Sequence, residues 1–244
     1  MRPLPADWLR PDWRVDSVGG LMTTRVGVGD DADTAARIAD ASGATPVFLR
    51  QVHGARVVHL AAANGRADAT KHEADASVTS EVGIACIVRV ADCLPVLFAA
   101  PGGRAVGAAH AGWRGLAAGV LEATVNEVSA AAQCAPGEIV AWLGACIGPQ
   151  AFEVGADVLE AFGVDAARPL DAAAAGRFRP GRPGRWFADL PLLARDRLAA
   201  AGVVDATGDG WCTVSDASRF FSFRRDGSRG RMVAAVWRHR SGSQ

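Results

Sequence analysis

Three apolar runs, separated by very short connections, occupy the middle of the chain: Ile84 to Val90, Leu94 to Ala99, and Arg104 to His110. Each is short, apolar and bounded by turn residues, so each reads as a buried strand. Pro101-Gly102-Gly103 joins the last two, and so tight a turn closes an antiparallel hairpin. Leu116 to Ala132 follows, with Leu116, Val120, Leu121, Val125 and Val128 at helical spacing, which predicts one helix. Asp33 to Ala41, Ala156 to Phe162 and Leu190 to Ala201 also read as helices, and Glu138 to Leu143 and Met232 to Trp237 as strands. Val47 to Leu60 reads as strand-like on both sides of Gln51-Val52-His53-Gly54. Gly176 to Gly184 reads as an exposed loop within one domain rather than a boundary between two. Strands paired by tight turns and mixed with helices predict an α/β (α+β) fold, a mixed-sheet sandwich flanked by helices. The expected organisation is a single domain over residues 1–244, with an irregular segment at 1–20, punctuated by Pro3, Pro5 and Pro11, and a tail at 239–244.

Composition narrows the partners. The 26 Lys+Arg balance the 26 Asp+Glu, so no net field draws the chain to nucleic acid or an anionic membrane. Lys71 is the only lysine, and the many arginines suit phosphate and carboxylate recognition through two parallel bonds. No apolar run approaches the ~20 residues of a membrane span. Residues Met1 to Arg14 carry prolines and acids where a secretory signal needs an apolar stretch. The five cysteines, Cys86, Cys93, Cys134, Cys146 and Cys212, form no CxxC pair, and their odd number predicts reduced thiols in a cytoplasmic protein. The chain is expected as a monomer or, given its seven tryptophans, a homodimer. No GxGxxG, GxxxxGK[ST], GxSxG or HExxH pattern occurs, which disfavours the common cofactor folds.

Chemistry is concentrated in Gln51-Val52-His53-Gly54, Ala91-Asp92-Cys93-Leu94-Pro95 and Ala109-His110-Ala111-Gly112-Trp113-Arg114-Gly115, each at the end of an apolar run. His53, Cys93 and His110 supply two imidazoles and a potential thiolate, a competent zinc set with a fourth position for water or substrate. Asp92, beside Cys93, is placed to orient a ligand or move a proton. Each residue alone has a bland alternative: a structural histidine, a small core cysteine, a turn-capping aspartate, a packed Trp113. The combination is what raises the chemistry above them.

These segments resemble the signature of the laccase-domain family, also called multicopper polyphenol oxidase-like or peptidoglycan-editing-factor proteins. The likeness continues through Ala74-Asp75 with Thr79, Gly144-Ala145-Cys146-Ile147-Gly148-Pro149, Phe152-Glu153-Val154-Gly155, Cys212-Thr213, and Phe220 to Gly227 with Gly230-Arg231, covering roughly residues 20 to 238. The resemblance implies a mixed α/β sandwich in which His53, Cys93 and His110 hold a catalytic zinc. It implies purine nucleoside phosphorolysis (adenosine, guanosine, inosine, methylthioadenosine) with adenosine deamination. Some relatives are described as phenol oxidases, others as editors of cell-wall precursors. The sequence departs from the pattern at Arg25-Val26-Gly27-Val28 and Ala35-Ala36-Arg37-Ile38-Ala39, at Cys146, and at Phe152 and Phe223, where tyrosines are usual.

Counting donors separates the implied chemistries. A blue-copper site with a trinuclear cluster needs more histidines than the five present, His53, His59, His72, His110 and His239. A single copper at His/His/Cys is still a possible occupant, because copper outbinds zinc at nitrogen and sulfur. Phosphorolysis calls for an anion clamp, with Arg25, Arg114, Arg224 and Arg225 as candidates, the last two weighed against a solvated turn at Asp226-Gly227. Deamination calls for a carboxylate acid, with Asp75, Asp92 and Glu153 as candidates. Gln51 completes the expected substrate contacts, and Cys93, His110, Asp92 and His53 are the expected catalytic group. The competing readings are a cysteine hydrolase or cell-wall precursor editor using Cys93 with His110, a copper-dependent polyphenol oxidoreductase, and a binding module that uses zinc only to fold.

Overall fold

The computed structural model describes residues 5–26, 31–61, 73–227 and 229–239. Met1 to Leu4, Gly27-Val28, His72 and most of the expected tail lie outside these residues.

Thirteen strands form three sheets among the described residues. The largest has the order β12 (Asp205–Gly208), β8 (Val140–Leu143), β6 (Leu94–Ala99), β7 (Val106–Ala111), β4 (Ala76–Thr79), β3 (Val57–His59). The second has the order β1 (Val18–Met22), β13 (Met232–Arg238), β5 (Ile84–Val90), β2 (Thr45–Val47). A small sheet of β10 (Phe178–Pro180), β11 (Trp186–Ala188) and β9 (Glu153–Val154) lies to one side. The expected hairpin is present, with β6 antiparallel to β7 and Leu97 opposite Ala108. Pairings are of both kinds, antiparallel for β13 with β5 and parallel for β12 with β8 and β2 with β5.

Side-chain alternation along β6 shows how the layers stack. Leu97 and Ala99 point into an apolar layer shared with Cys86, Val88, Ala234 and Val236 of the second sheet. Val96 and Phe98 point the other way, toward two helices, α3 (Val120–Ala132) and α6 (Leu190–Ala200). Both faces of β6 are therefore buried, which is why the run is apolar throughout rather than alternating. The outer face of the second sheet, with Leu21, Ile87 and Trp237, is covered by Ile38 of α1 (Asp31–Ser42). The result is the expected mixed-sheet sandwich flanked by helices, α–β–β–α in layers.

Three local expectations are corrected. Leu116 to Ala132 is not one helix but two, α2 (Trp113–Ala117) and α3, because Gly119 between them takes a left-handed φ of 91°. Val47 to Leu60 is not a continuous strand: between β2 and β3 the chain makes one isolated bridge, Arg50 with Glu73, and then loops so that the amides of residues 52–54 point at Asp75 instead of a neighbouring strand. Gly176 to Gly184 is not only loop, since Phe178–Pro180 pairs with Trp186–Ala188 and Phe178 is 1% exposed. The remaining helices are α4 (Ala156–Ala161), α5 (Ala172–Ala175) and α7 (Phe223–Asp226).

Phe98 has no exposed surface and joins the six-stranded sheet to its helices. Phe98→Ala is expected to lower unfolding free energy by about 3–5 kcal/mol, the sum of lost transfer energy and a residual cavity; urea titration followed by tryptophan fluorescence checks it.

Candidate metal centre

One buried carboxylate organises the centre. Asp75 has no solvent-exposed surface, and it precedes β4. Its Oδ2 accepts N–H bonds from Val52 (3.1 Å) and Gly54 (2.7 Å), and its Oδ1 accepts one from His53 (2.9 Å). Three consecutive amides converging on one carboxylate bend the 51–54 loop, and His53 takes a left-handed φ of 63°. The same Oδ1 lies 2.8 Å from Nδ1 of His110, near the end of β7, and the Asp75 carbonyl accepts the His110 amide at 2.7 Å. With Nδ1 donating to a carboxylate, Nε2 is the nitrogen left to bind. Desolvation would raise the Asp75 pKa, but the hydrogen bonds from His110 and the loop amides hold it below the usual carboxylate value.

Cys93 arrives from the turn between β5 and β6. Asp92 shapes that turn with a φ of 91°. Its Oδ1 accepts from the Thr213 hydroxyl at 2.6 Å, its Oδ2 from the Arg224 amide at 2.6 Å, and its carbonyl from the Ile147 amide at 2.9 Å. Asp92 thus ties the Cys93 turn to the C-terminal part of the chain. Two non-glycine residues held left-handed within one centre are backbone strain that the surrounding bonds impose.

The donor atoms of His53, Cys93 and His110 all lie within 4.8 Å of one another, the single His/Cys/Asp/Glu group among the described residues able to hold a metal. Cys93 Sγ is 3.8 Å from His53 Nε2, close to the roughly 3.5 Å edge of a tetrahedron built on zinc–nitrogen and zinc–sulfur bonds. Two imidazoles, a thiol and a free fourth direction fit a catalytic rather than a closed structural zinc. Desolvation alone would raise the Cys93 thiol, but His110 and His53 bring it down to about 6. Desolvation would lower His110, yet Asp75 and Cys93 raise it to about 9. The lowered Cys93 value favours the thiolate that metal binding requires, whereas the raised His110 value favours an imidazolium whose proton an arriving metal has to displace. Glycines make room for the group: a Cβ on Gly112 would sit 2.8 Å from Cys93 Sγ, and one on Gly115 would sit 2.9 Å from the Gly54 carbonyl. The remaining cysteines are free thiols outside this group, with Cys86 pushed up to about 12 by burial.

The centre opens into a cavity of about 880 Å³. Of the sequence candidates, His53, Cys93, His110, Asp92, Gln51, Arg114 and Arg224 line it, and Arg25, Asp75, Glu153 and Arg225 do not. Asp75 is enclosed behind the loop, so it positions the histidines rather than touching substrate. Glu153 is ion-paired with Arg182, which holds its carboxyl below the usual range. Arg225 donates to the carbonyls of Thr213, Val214 and Phe220 and pairs with Asp226, a folding role at the turn. Arg25 lies 5.1 Å from the Phe221 ring centroid and donates to the Ala217 carbonyl. Gln51 lines the cavity, but its amide is bonded to both the carbonyl and the amide of Arg89, at 2.8 Å each. Sequence reasoning missed Arg50, Arg89, Arg229 and Arg231, which also line the cavity. Arg89 carried a readable signal, a lone charge in the apolar run Ile84–Val90.

A layered α/β sandwich with a His–Cys–His group able to hold a metal, at an arginine-lined cavity, defines a protein of the laccase-domain class. The chain belongs to the family described as multi-copper polyphenol oxidoreductase laccase, whose profile matches residues 24–239. It is 42% identical to a purine nucleoside phosphorylase of Pseudomonas aeruginosa, over 94% of this chain and 98% of that protein. It is 47% identical to a purine nucleoside phosphorylase of Escherichia coli, over 79% of this chain and 73% of that protein. The crystal structure of a Neisseria meningitidis protein superposes with a TM-score of 0.83 at 38% identity, covering 96% of this chain and all, 100%, of the other. No described helix is long and apolar enough to cross a membrane.

Asp75→Asn removes the carboxylate that orients His110 and collects the 52–54 amides. Zinc affinity is expected to fall about 10–100-fold, measured by competition with a chromophoric chelator; unchanged affinity in a folded variant would show that Asp75 does not position the histidines.

Proposed function

We propose that this chain is a zinc-dependent purine nucleoside phosphorylase acting on adenosine, guanosine, inosine or methylthioadenosine. Phosphate attacks C1′ of the ribose, the C1′–N9 bond breaks, and the bond electrons leave with the purine, which takes up a proton; the other product is ribose 1-phosphate, or its 5-methylthio derivative from methylthioadenosine. One observation carries the reading: the metal-competent group and Arg114 line the same cavity, and Arg114 has no carboxylate partner among the described residues. The phosphorylase names of the relatives support it.

A zinc ion held by His53, Cys93 and His110 would supply Lewis-acid polarisation beside the reacting bond. Arg114, 4.3 Å from the Trp113 ring centroid, is braced by that ring and presents a fork to phosphate oxygens. Arg224 also lines the cavity, anchored by its amide to Asp92 and by its Nη1 to the Glu153 carbonyl at 2.9 Å. Phe223 lines the cavity and is 59% exposed, an open aromatic face suited to a purine ring. Copper at the same donors is the competing occupant, and the single such group among the described residues gives multicopper oxidation no cluster there.

Adenosine deamination at the same centre would draw on a carboxyl beside the purine ring. Among the described residues, Asp92 is the one acid in the cavity lining, and both its oxygens already accept hydrogen bonds. Phosphorolysis is therefore the stronger reading. A cysteine-hydrolase reading draws on the lowered Cys93 thiol, and removal of metal separates the two, since a thiol nucleophile survives it.

The test is adenosine turnover with and without phosphate on protein assayed for zinc. Adenine is expected only with phosphate. His110→Ala is expected to lose about a hundredfold or more of turnover, and Arg114→Ala to raise KM for phosphate about tenfold or more. Full activity of metal-stripped protein, or intact adenosine at one zinc per chain, would contradict the proposal.

A further inference from the structure

β5, the strand that leads to Cys93, has one edge that its neighbour covers only in part. β2 pairs with it in parallel, from Thr45 opposite Ile84 to Val47 opposite Cys86. The same register, continued, would put Arg50 opposite Arg89. Arg50 turns away instead and bridges Glu73, its carbonyl accepting the Ala74 amide at 3.2 Å. Val233 of β13 stands on the other side of Arg89, so the turn at Arg50 leaves a ladder position of β5 to be filled. The Gln51 side chain fills it. Its Oε1 accepts the Arg89 N–H and its Nε2 donates to the Arg89 carbonyl, both at 2.8 Å. A carboxamide carries the donor and the acceptor of a peptide group, so Gln51 serves as one more rung of the sheet.

The loop that follows has little burial to hold it. Val52 is 46% exposed and His53 is exposed as well. Polar bonds fix this stretch, and they come from two sides. Asp75 gathers the amides of residues 52–54 and bonds the His110 ring, which relates His53 to His110. The Gln51 pair relates the same loop to β5, helped by Arg89 Nη2, which donates to the Leu49 carbonyl at 3.1 Å. β5 ends at Val90, just before the Asp92 turn that presents Cys93 to His53.

We infer that Gln51 is a positioning residue of the metal group: its carboxamide docks the 51–54 loop on β5 and so holds His53 in place relative to Cys93, as Asp75 holds it relative to His110. The role is independent of the nucleoside reading, because it concerns where the donors stand and not what the cavity binds. It also gives Gln51 a different task from the substrate contact expected of it, since its carboxamide oxygen and nitrogen are both bonded to Arg89.

Two substitutions test this: Gln51→Met, which keeps the length of the side chain without its hydrogen bonds, and Gln51→Glu, which keeps the acceptor and loses the donor. In metal-free protein, amide hydrogen exchange followed by NMR is expected to be about tenfold or more faster at His53 and Gly54 in Gln51→Met, although their Asp75 acceptor is intact. Gln51→Glu is expected to shift the same two amides in the same direction. Titration with cobalt(II) is expected to show affinity lowered about tenfold or more in both variants, with a weakened thiolate-to-cobalt absorption band. Faster exchange at Arg89 alone, with His53 and Gly54 as in the wild type, would make the pair a local strand cap and overturn the role. Cobalt affinity and spectrum equal to those of the wild type would overturn it too. Loss of protection throughout β5 and β13 would make Gln51 a determinant of the fold and not of the donor geometry. A wild-type chain that binds no cobalt would remove the metal reading, while the exchange at His53 and Gly54 still decides whether Gln51 positions the loop.

Discussion

The Asp75 carboxylate is the interaction on which the centre depends. It lies without solvent contact behind the 51–54 loop and accepts three loop amides and the His110 ring nitrogen. A bare carboxylate so placed would be prohibitively desolvated, and four donors are what make its charge tolerable. In return it fixes the loop that carries His53 and the tautomer of His110. One residue thus links the end of β7, the start of β4 and a loop more than twenty residues earlier in the chain.

The layers of the sandwich explain how such a centre can be rigid. His110 rides on β7, which is paired on both sides by β6 and β4. Cys93 sits on the turn that crosses from the second sheet to the first, from β5 to β6. Asp92 pins that turn to Thr213 and Arg224. Gly112 and Gly115 then let α2 approach the group so closely that any side chain there would collide with Cys93 or with the His53 loop. Glycines at these two places in His110-Ala111-Gly112-Trp113-Arg114-Gly115 are a packing requirement of the donor cluster.

Strands β5, β6 and β13 were legible in the sequence because burial on both faces makes an apolar run unambiguous, and β6–β7 because its turn is too short for any other connection. Cys93 and His110 were legible because each lies at the end of such a run. The 48–56 loop was not, since the β-branched residues on either side of it, Val47, Val57 and Val58, suggest a continuous strand and only the distant Asp75 turns the 52–54 amides away. The break at Gly119 was hidden because helical apolar spacing continues across it. The roles of Asp75, Glu153 and Arg225 were not legible for a common reason: a charged residue reads as a substrate contact until its partner is known. Asp75 proves to be enclosed, Glu153 paired with Arg182, and Arg225 bonded to backbone carbonyls. Arg50, Arg89, Arg229 and Arg231 of the cavity lining escaped notice because they come from three separate stretches of sequence.

The central claim is that His53, Cys93 and His110 together hold one zinc. X-ray absorption at the zinc edge of the purified chain tests it most directly. One zinc per chain is expected, with two nitrogen neighbours at about 2.0–2.1 Å and one sulfur at about 2.3 Å, the sulfur disappearing in Cys93→Ser. A chain that binds no zinc when loaded, or a coordination shell without sulfur in the wild type, would contradict it.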